Sequence, residues 1–394
     1  MSKYKLILGK DLTPKWWDVG INARATFGQL MAANDKYLAL SYFGEHAQFV
    51  ILDKKTPQRL YKVTSHVCHI QNLNDIRFSP FFPNILSTAS DDGTIKLWKI
   101  EENSTSEELK NEVQKLNEHS KRVVLFKYHP CSSEVAASAS NDKTVKVWDI
   151  TCGKSLATIS TPETVSSLDW TIDGKLIGVM CTNKIAHILD PRANKEVIST
   201  TCHASAKCQK MLFVSPTNYV SFGFSSEGRE IKLFDIAKPE QAVNTIAYDK
   251  LLGVPYPHYD YDTNIIYIPA KGENTVPFYS FTDGNISYLH NPHKMKMTPE
   301  CFCFEDKRCV DLTTNEIGKL YRYCKGVMEM TTFYIPRKEG GTDKSLYPET
   351  FSGESALTAD EWIKGADKEQ IRKNIEEIKF ENLYAKSEMF KKSE

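Results

Sequence analysis

Ser87-Thr-Ala-Ser-Asp-Asp-Gly-Thr-Ile-Lys-Leu-Trp98 and Ala137-Ser-Ala-Ser-Asn-Asp-Lys-Thr-Val-Lys-Val-Trp148 superpose without a gap at an offset of 50 residues. In each, a run of small residues leads into Asp-Asp-Gly or Asn-Asp-Lys, a tight-turn composition. An alternating segment follows, with Ile95 and Leu97 in one copy and Val145 and Val147 in the other. Alternation with a period of two beside such a turn describes two paired strands with one packed face.

Weaker copies extend the series. Phe49-Val-Ile-Leu52 precedes it, and Ala186-His-Ile-Leu189, Ile231-Lys-Leu-Phe234, Val276-Pro-Phe-Tyr279 and Gly318-Lys-Leu-Tyr321 follow. The anchors at 52, 98, 148, 189, 234, 279 and 321 are spaced by 46, 50, 41, 45, 45 and 42 residues. A repeat of about 40–45 residues with four strands each is the WD-repeat period. Seven anchors therefore predict an all-β, seven-bladed WD-repeat β-propeller.

The two strong repeats share polar positions. Counting back from Trp98 gives Asp92, Ser90 and His69, and the same offsets from Trp148 give Asp142, Ser140 and His119. A Ser–His–Asp set invites a catalytic reading. Its duplication in register argues for scaffold instead: a chain from Trp indole to Ser, Ser to His and His to Asp, satisfying polar groups between strands. No catalytic residue is assigned, and no Walker A loop, H-E-x-x-H or G-x-S-x-G motif is present.

Composition narrows the function classes. Lys+Arg and Asp+Glu are both 50, whereas a nucleic-acid binder carries a basic excess. The ten cysteines are scattered without a C-x-x-C pair, so they read as reduced thiols with neither a disulfide framework nor a metal site. No apolar run is long enough to span a membrane, and the expected setting is the cytoplasm. No cofactor is expected.

The ends depart from the repeat. Tyr4-Lys-Leu-Ile-Leu8 and Val327-Met-Glu-Met-Thr-Thr-Phe-Tyr-Ile335 are both strand-like, and both are expected in the seventh blade, which closes the ring. The expected organisation is a propeller over 1–336, an extension over 337–366 packed on it through Tyr347, Phe351 and Trp362, and a charged tail over 367–394. Ile371, Ile375 and Ile378 give that tail helical spacing, read as a frayed terminal helix.

Several segments resemble the coronin family of actin-filament-binding proteins. Ser221-Phe-Gly-Phe-Ser-Ser-Glu-Gly-Arg-Glu-Ile-Lys-Leu-Phe-Asp235 is similar to the family's fifth blade, and Asp260-Tyr-Asp-Thr-Asn-Ile-Ile-Tyr-Ile268 to its sixth. Ala32-Ala-Asn-Asp-Lys-Tyr-Leu-Ala39 resembles the first. Leu346-Tyr-Pro-Glu-Thr350 and Ala356-Leu-Thr-Ala-Asp-Glu-Trp362 resemble the coronin C-terminal extension, which is not a general propeller feature. The match runs over roughly residues 2 to 366.

The resemblance implies a non-catalytic platform that binds F-actin and organises the actin cytoskeleton, with the branched-actin nucleation complex as a further partner; anionic lipid is a further partner by weak electrostatic attraction to the basic N-terminus. A generic WD-repeat scaffold for a multiprotein complex is the alternative. The family's usual linker and coiled coil have no counterpart in these residues, so a monomer is expected. Residues 1–28 carry Lys3, Lys5, Lys10, Lys15 and Arg24 against Asp11 and Asp18. These five cations are the actin-binding candidates. Arg24 aligns with a family arginine, while the family's other arginine, three residues earlier, is Ile21 here.

Overall fold

The computed structural model describes residues 3–22, 27–57, 59, 63–205, 207–337 and 342–390. Seven four-stranded antiparallel sheets stand around a central channel. Blade one is Met31–Ala33, Tyr37–Tyr42, Ala47–Asp53 and Ser65–His69, ordered from channel to rim. Blades two to six repeat the plan: blade three is Val123–Tyr128, Val135–Ser140, Thr144–Asp149 and Lys154–Ser160. First strands of blades one to five contact one another in turn, and Cys301–Phe304 of blade seven closes onto Met31–Ala33.

Burial follows strand position. Val135–Ser140 is buried throughout, whereas the outermost Lys154–Ser160 is largely exposed. Second strands are covered on both faces by neighbouring blades, so they are rich in small and β-branched residues. The tight turns of blades two and three need a left-handed residue. Gly93 supplies it at φ 82°, and Lys143 takes the same conformation at φ 62°.

Blade seven combines both chain ends. Its strands are Cys301–Phe304, Glu316–Cys324, Val327–Tyr334 and, outermost, the N-terminal Leu8–Trp17. Pairing runs from Leu8 with Tyr334 to Trp17 with Val327. Two readings are corrected here. The N-terminal strand begins at Leu8, not Tyr4; Tyr4 and Ile7 instead plug the seam between blades six and seven beside Met295, Phe302 and Leu346. Tyr321 lies on a second strand, whereas the other six anchors lie on third strands. Alternation looks the same on either partner of a hairpin, so the pattern counted seven blades without telling the two strands apart.

The ring has two ends. The upper face carries the turns between second and third strands and the connections between blades; the lower face carries the other turns. The C-terminal extension crosses the lower face. Tyr347 Oη donates to the Glu316 carbonyl at 2.9 Å, and Phe351 packs edge-on against Phe81 at 5.2 Å. Ala356 N donates to the Cys131 carbonyl at 2.9 Å.

Residues 371–378 do not form the helix that their isoleucine spacing suggested. They hold a two-residue strand, Arg372–Lys373, paired with Thr350–Phe351, and a 3₁₀ turn, Ile375–Glu377. The helix comes later, Phe380–Lys386. Tertiary anchors decide this path: Arg372 pairs with Asp262, Tyr384 Oη donates to Asp35 at 2.8 Å, and Phe390 meets Phe82 at 5.5 Å. Isolated turns this short have no helical stability of their own.

Candidate interaction surface

The tryptophan-centred polar chains form between strands, but through different hydroxyls from those expected. Trp148 Nε1 donates to Ser138 Oγ at 2.8 Å, and Ser138 meets His119 Nε2 at 2.7 Å. His119 Nδ1 lies 2.8 Å from Asp142 Oδ2. In blade two, Thr88 takes this place, 2.9 Å from both Trp98 Nε1 and His69 Nε2, with Asp92 2.9 Å from His69 Nδ1. Ser90 and Ser140, the expected links, instead bind the carbonyls of Gln71 and Lys121 at 3.0 Å and cap their own turns.

Reach explains the substitution. Trp148 pairs with Ala136, so Ser138 is its diagonal neighbour. Ser140 lies four residues along, about 13 Å at strand rise. Both serines face the same way, so parity alone could not choose between them. Because the hydroxyl accepts from the indole and donates to Nε2, the His119 proton sits on Nδ1 and is given to Asp142. Burial by itself would raise the carboxyls of Asp92 and Asp142, yet the bonds from His69, His119 and neighbouring threonines hold both well below the usual range.

Ser138→Ala is expected to cost about 1–3 kcal/mol, because two buried polar groups lose their shared partner. Ser140→Ala, which touches only the turn, should cost less. Denaturation midpoints of the two variants check the assignment, and the reverse order would refute it.

A third chain escaped the sequence reading. His203 lies 2.9 Å from Ser221 Oγ and 2.8 Å from Glu230 Oε1 in blade five, where Phe234 replaces the tryptophan. Tyr219 pairs with Phe234 as Ala136 pairs with Trp148, which puts Ser221 at the position of Ser138. The acid comes from the third strand, not the turn, so the offset from the anchor changes. A histidine just before a first strand was the one available signal.

The five N-terminal cations do not make one patch. Lys3 and Lys5 are exposed at the lower end, where Lys3 Nζ bonds the Ser345 carbonyl of the extension. Lys10 is exposed near the lower end of the outermost strand of blade seven. Lys15 is near that strand's upper end, where the backbone is described and the side chain is not; Arg24 lies outside the described residues. The strand separates the two ends by roughly 30 Å. Asp11 offsets none of these charges, since it is spent internally on Arg322, His293 and Thr331. Ile21 is buried, at 3% exposure.

The two faces differ in cover. The lower face is crossed by the extension. The upper face exposes Lys121, Arg122, Lys207, Lys250, Lys296 and Lys325 on its turns and connections. Three of its carboxylates, Asp92, Asp142 and Asp249, are bound to His69, His119 and Arg229. Near the seam of blades seven and one it also exposes Trp17 and Phe43, at 39% and 55%.

Comparison with solved structures gives a TM-score of 0.90 and 27% identity to the WD40 domain of Toxoplasma gondii coronin, covering 94% of this chain and 97% of that one. The chain folds as a propeller similar to that of coronins. Coronin-A of Dictyostelium discoideum is 28% identical over 377 residues, covering 93% of this chain and 84% of the relative. Coronin-like protein crn1 of Schizosaccharomyces pombe is also 28% identical, over 384 residues, and this chain spans 63% of its length. The model for the WD domain, G-beta repeat, matches residues 58–99 and 110–149, and another type of WD40 repeat matches 328–370. These are repeat models, and no enzyme family is indicated by them. The coronin likeness, over 94% of this chain, therefore reaches into the lower-face extension. Among the described residues no helix is long and apolar enough to cross a membrane.

Proposed function

We propose that this coronin-type propeller binds actin filaments and acts as a non-catalytic platform in organising the cytoskeleton. The observation that carries the reading is likeness to coronins along 93% of the chain. The filament surface is acidic, so a positive surface with apolar anchors is the physical requirement. The upper face supplies cations, with Trp17 and Phe43 at the seam of blades seven and one. Lys3, Lys5 and Lys10 form a second, lower and lateral group.

The purified chain is expected to co-sediment with filamentous actin at low salt, with binding falling as salt rises, because exposed charges are screened beyond about 8 Å at physiological ionic strength. Arg24→Glu is expected to weaken binding by about 1–3 kcal/mol if it is a central contact. Lys3→Glu with Lys5→Glu, at the lower end, serves as the comparison. Whichever variant weakens pelleting identifies the contact residues. A chain that stays in the supernatant at low salt would reject filament binding altogether.

A further inference from the structure

The upper part of the central channel holds a lysine that makes no carboxylate ion pair among the described residues. Lys210 opens the first strand of blade five and is 5% exposed. Its ammonium donates to the carbonyls of Phe27 at 2.7 Å and Ser166 at 2.6 Å. An ammonium has three donors, so one is left over.

The acids at this level are already committed. Asp75 accepts from Gln29 N at 3.0 Å, Phe126 N at 2.9 Å and Arg77 Nε at 3.1 Å. Asp169 is paired with Lys127 and accepts from Phe213 N at 2.9 Å. A second ammonium, Lys271, also makes no carboxylate ion pair among the described residues. Both ammoniums lie 5.1 Å from the Tyr256 ring centroid. Burial pushes the Lys210 pKa down to about 8, with Cys208 and Asp75 opposing it and Lys271 and Arg77 adding to it.

Beside Lys210 is a cavity of about 340 Å³, lined also by Arg77, the paired Lys127 and Asp169, Phe27, Tyr256 and Phe304. That volume is within the range of small-molecule sites, roughly 300–1,000 Å³. A buried cation without an ion pair is costly. Water can accept from its spare N–H but brings no charge to pair with it. We propose that this cavity binds a phosphate-class anion, held by the spare donors of Lys210 and Arg77, with Phe27 and Tyr256 as walls for an organic body. An anion pairs the Lys210 ammonium, and the Arg77 guanidinium beside it, bound to Asp75 through Nε, keeps Nη2 for phosphate oxygens.

The test compares thermal unfolding of the full chain in inorganic phosphate, in phenyl phosphate and in chloride at equal ionic strength. A ligand bound by the folded state alone raises the midpoint. Wild type is expected to melt several degrees higher in at least one phosphate than in chloride, and Lys210→Met to show no such gain. A gain in both names the phosphate group itself as the recognised element; a gain in phenyl phosphate alone names an organic phosphate. No gain over chloride in either, or an equal gain in Lys210→Met, overturns the site. Should Lys210→Met fail to fold, brief amine acylation of the wild type, read by mass spectrometry, decides. Lys210 should label several-fold more slowly with the phosphate present while exposed Lys250 is unchanged, and an unprotected Lys210 overturns the site.

Discussion

Replacing Arg322 by Met is expected to destabilise the ring by about 3–5 kcal/mol, the cost of breaking a buried ion pair by removing one partner. Arg322 is fully buried in the second strand of blade seven. Its guanidinium lies 2.9 Å from Asp11 on the N-terminal strand and 3.0 Å from Glu329 on the third strand. Asp11 also accepts from Thr331 Oγ1 at 2.7 Å and from Lys296 N at 3.1 Å, and lies 2.9 Å from His293 of blade six. One carboxylate thus joins the chain's first strand to both its own blade and the neighbouring one. Met fills a similar volume, so the loss reads out charge: Asp11 and Glu329 are left together without their cation. Adding Asp11→Asn and Glu329→Gln should restore part of the stability, and an Arg322→Met midpoint equal to wild type would show that closure rests on backbone pairing alone.

The same network sets an acid limit. Burial would raise the Asp11 carboxyl, but the bonds from His293 and Thr331 and the Arg322 charge together hold it well below the ordinary value. A depressed carboxylate contributes stability that is present above its unfolded pKa of about 3.9 and is lost as the pH falls through the folded value. Asp11→Asn should therefore be less stable than wild type at neutral pH, with a shallower loss below the unfolded value.

Legibility in the sequence tracked how local the deciding interaction was. Blade number was readable because each anchor reports a hairpin within its own repeat. Trp98 and Trp148 announced their polar chains, and His69, Asp92, His119 and Asp142 were all placed correctly from spacing. The hydroxyl link was misplaced by two residues, since Ser138 and Ser140 share a face and a three-dimensional reach separates them. Glu230 was missed because its acid comes from a strand and not a turn. The tail was misread for a different reason: Ile371, Ile375 and Ile378 do fit a helix, but Asp262, Asp35 and Phe82, each far away in the chain, fix another path. Lys210 was invisible as a site because its neighbours Phe27, Ser166 and Arg77 come from three other blades or connections. The division of the N-terminal cations between two ends follows from the ten-residue strand Leu8–Trp17, which composition treats as one basic segment.

Trp362→Ala is expected to release the middle of the extension from the lower face, costing about 3–5 kcal/mol of docking energy. The helix that carries it, Ala359–Ile363, has five residues and a capping box between Thr358 and Glu361, too little to persist by itself. Trp362 is 1% exposed, meets the rings of His129 and Trp170 edge-on at 5.4 and 5.9 Å, and lies under the Arg192 guanidinium. Its Nε1 donates to the Gly174 carbonyl at 3.1 Å, which also faces His129 Nε2 at 3.0 Å. Burial, with Arg192 adding to it, pushes the His129 pKa down to about 3. The ring is therefore neutral and gives its Nε2 proton to that carbonyl, while Nδ1 accepts from the backbone of Cys131 and Ser132. Gly174 cannot be replaced cheaply, because it sits at φ 69° and a Cβ there would meet His129 Nε2 at 2.1 Å. The indole thus docks onto a rigid polar seat shared by blades three and four. Loss of its side chain should open the segment locally before the ring melts, since the seven sheets retain their own cores. Hydrogen exchange across residues 352–366 and proteolysis after Lys364 or Lys368 report this directly. Trp362→Phe should fall between, keeping most apolar contact but losing the hydrogen bond, for about 1 kcal/mol. Unchanged protection in Trp362→Ala would mean that Phe351 and Phe390 hold the extension without it.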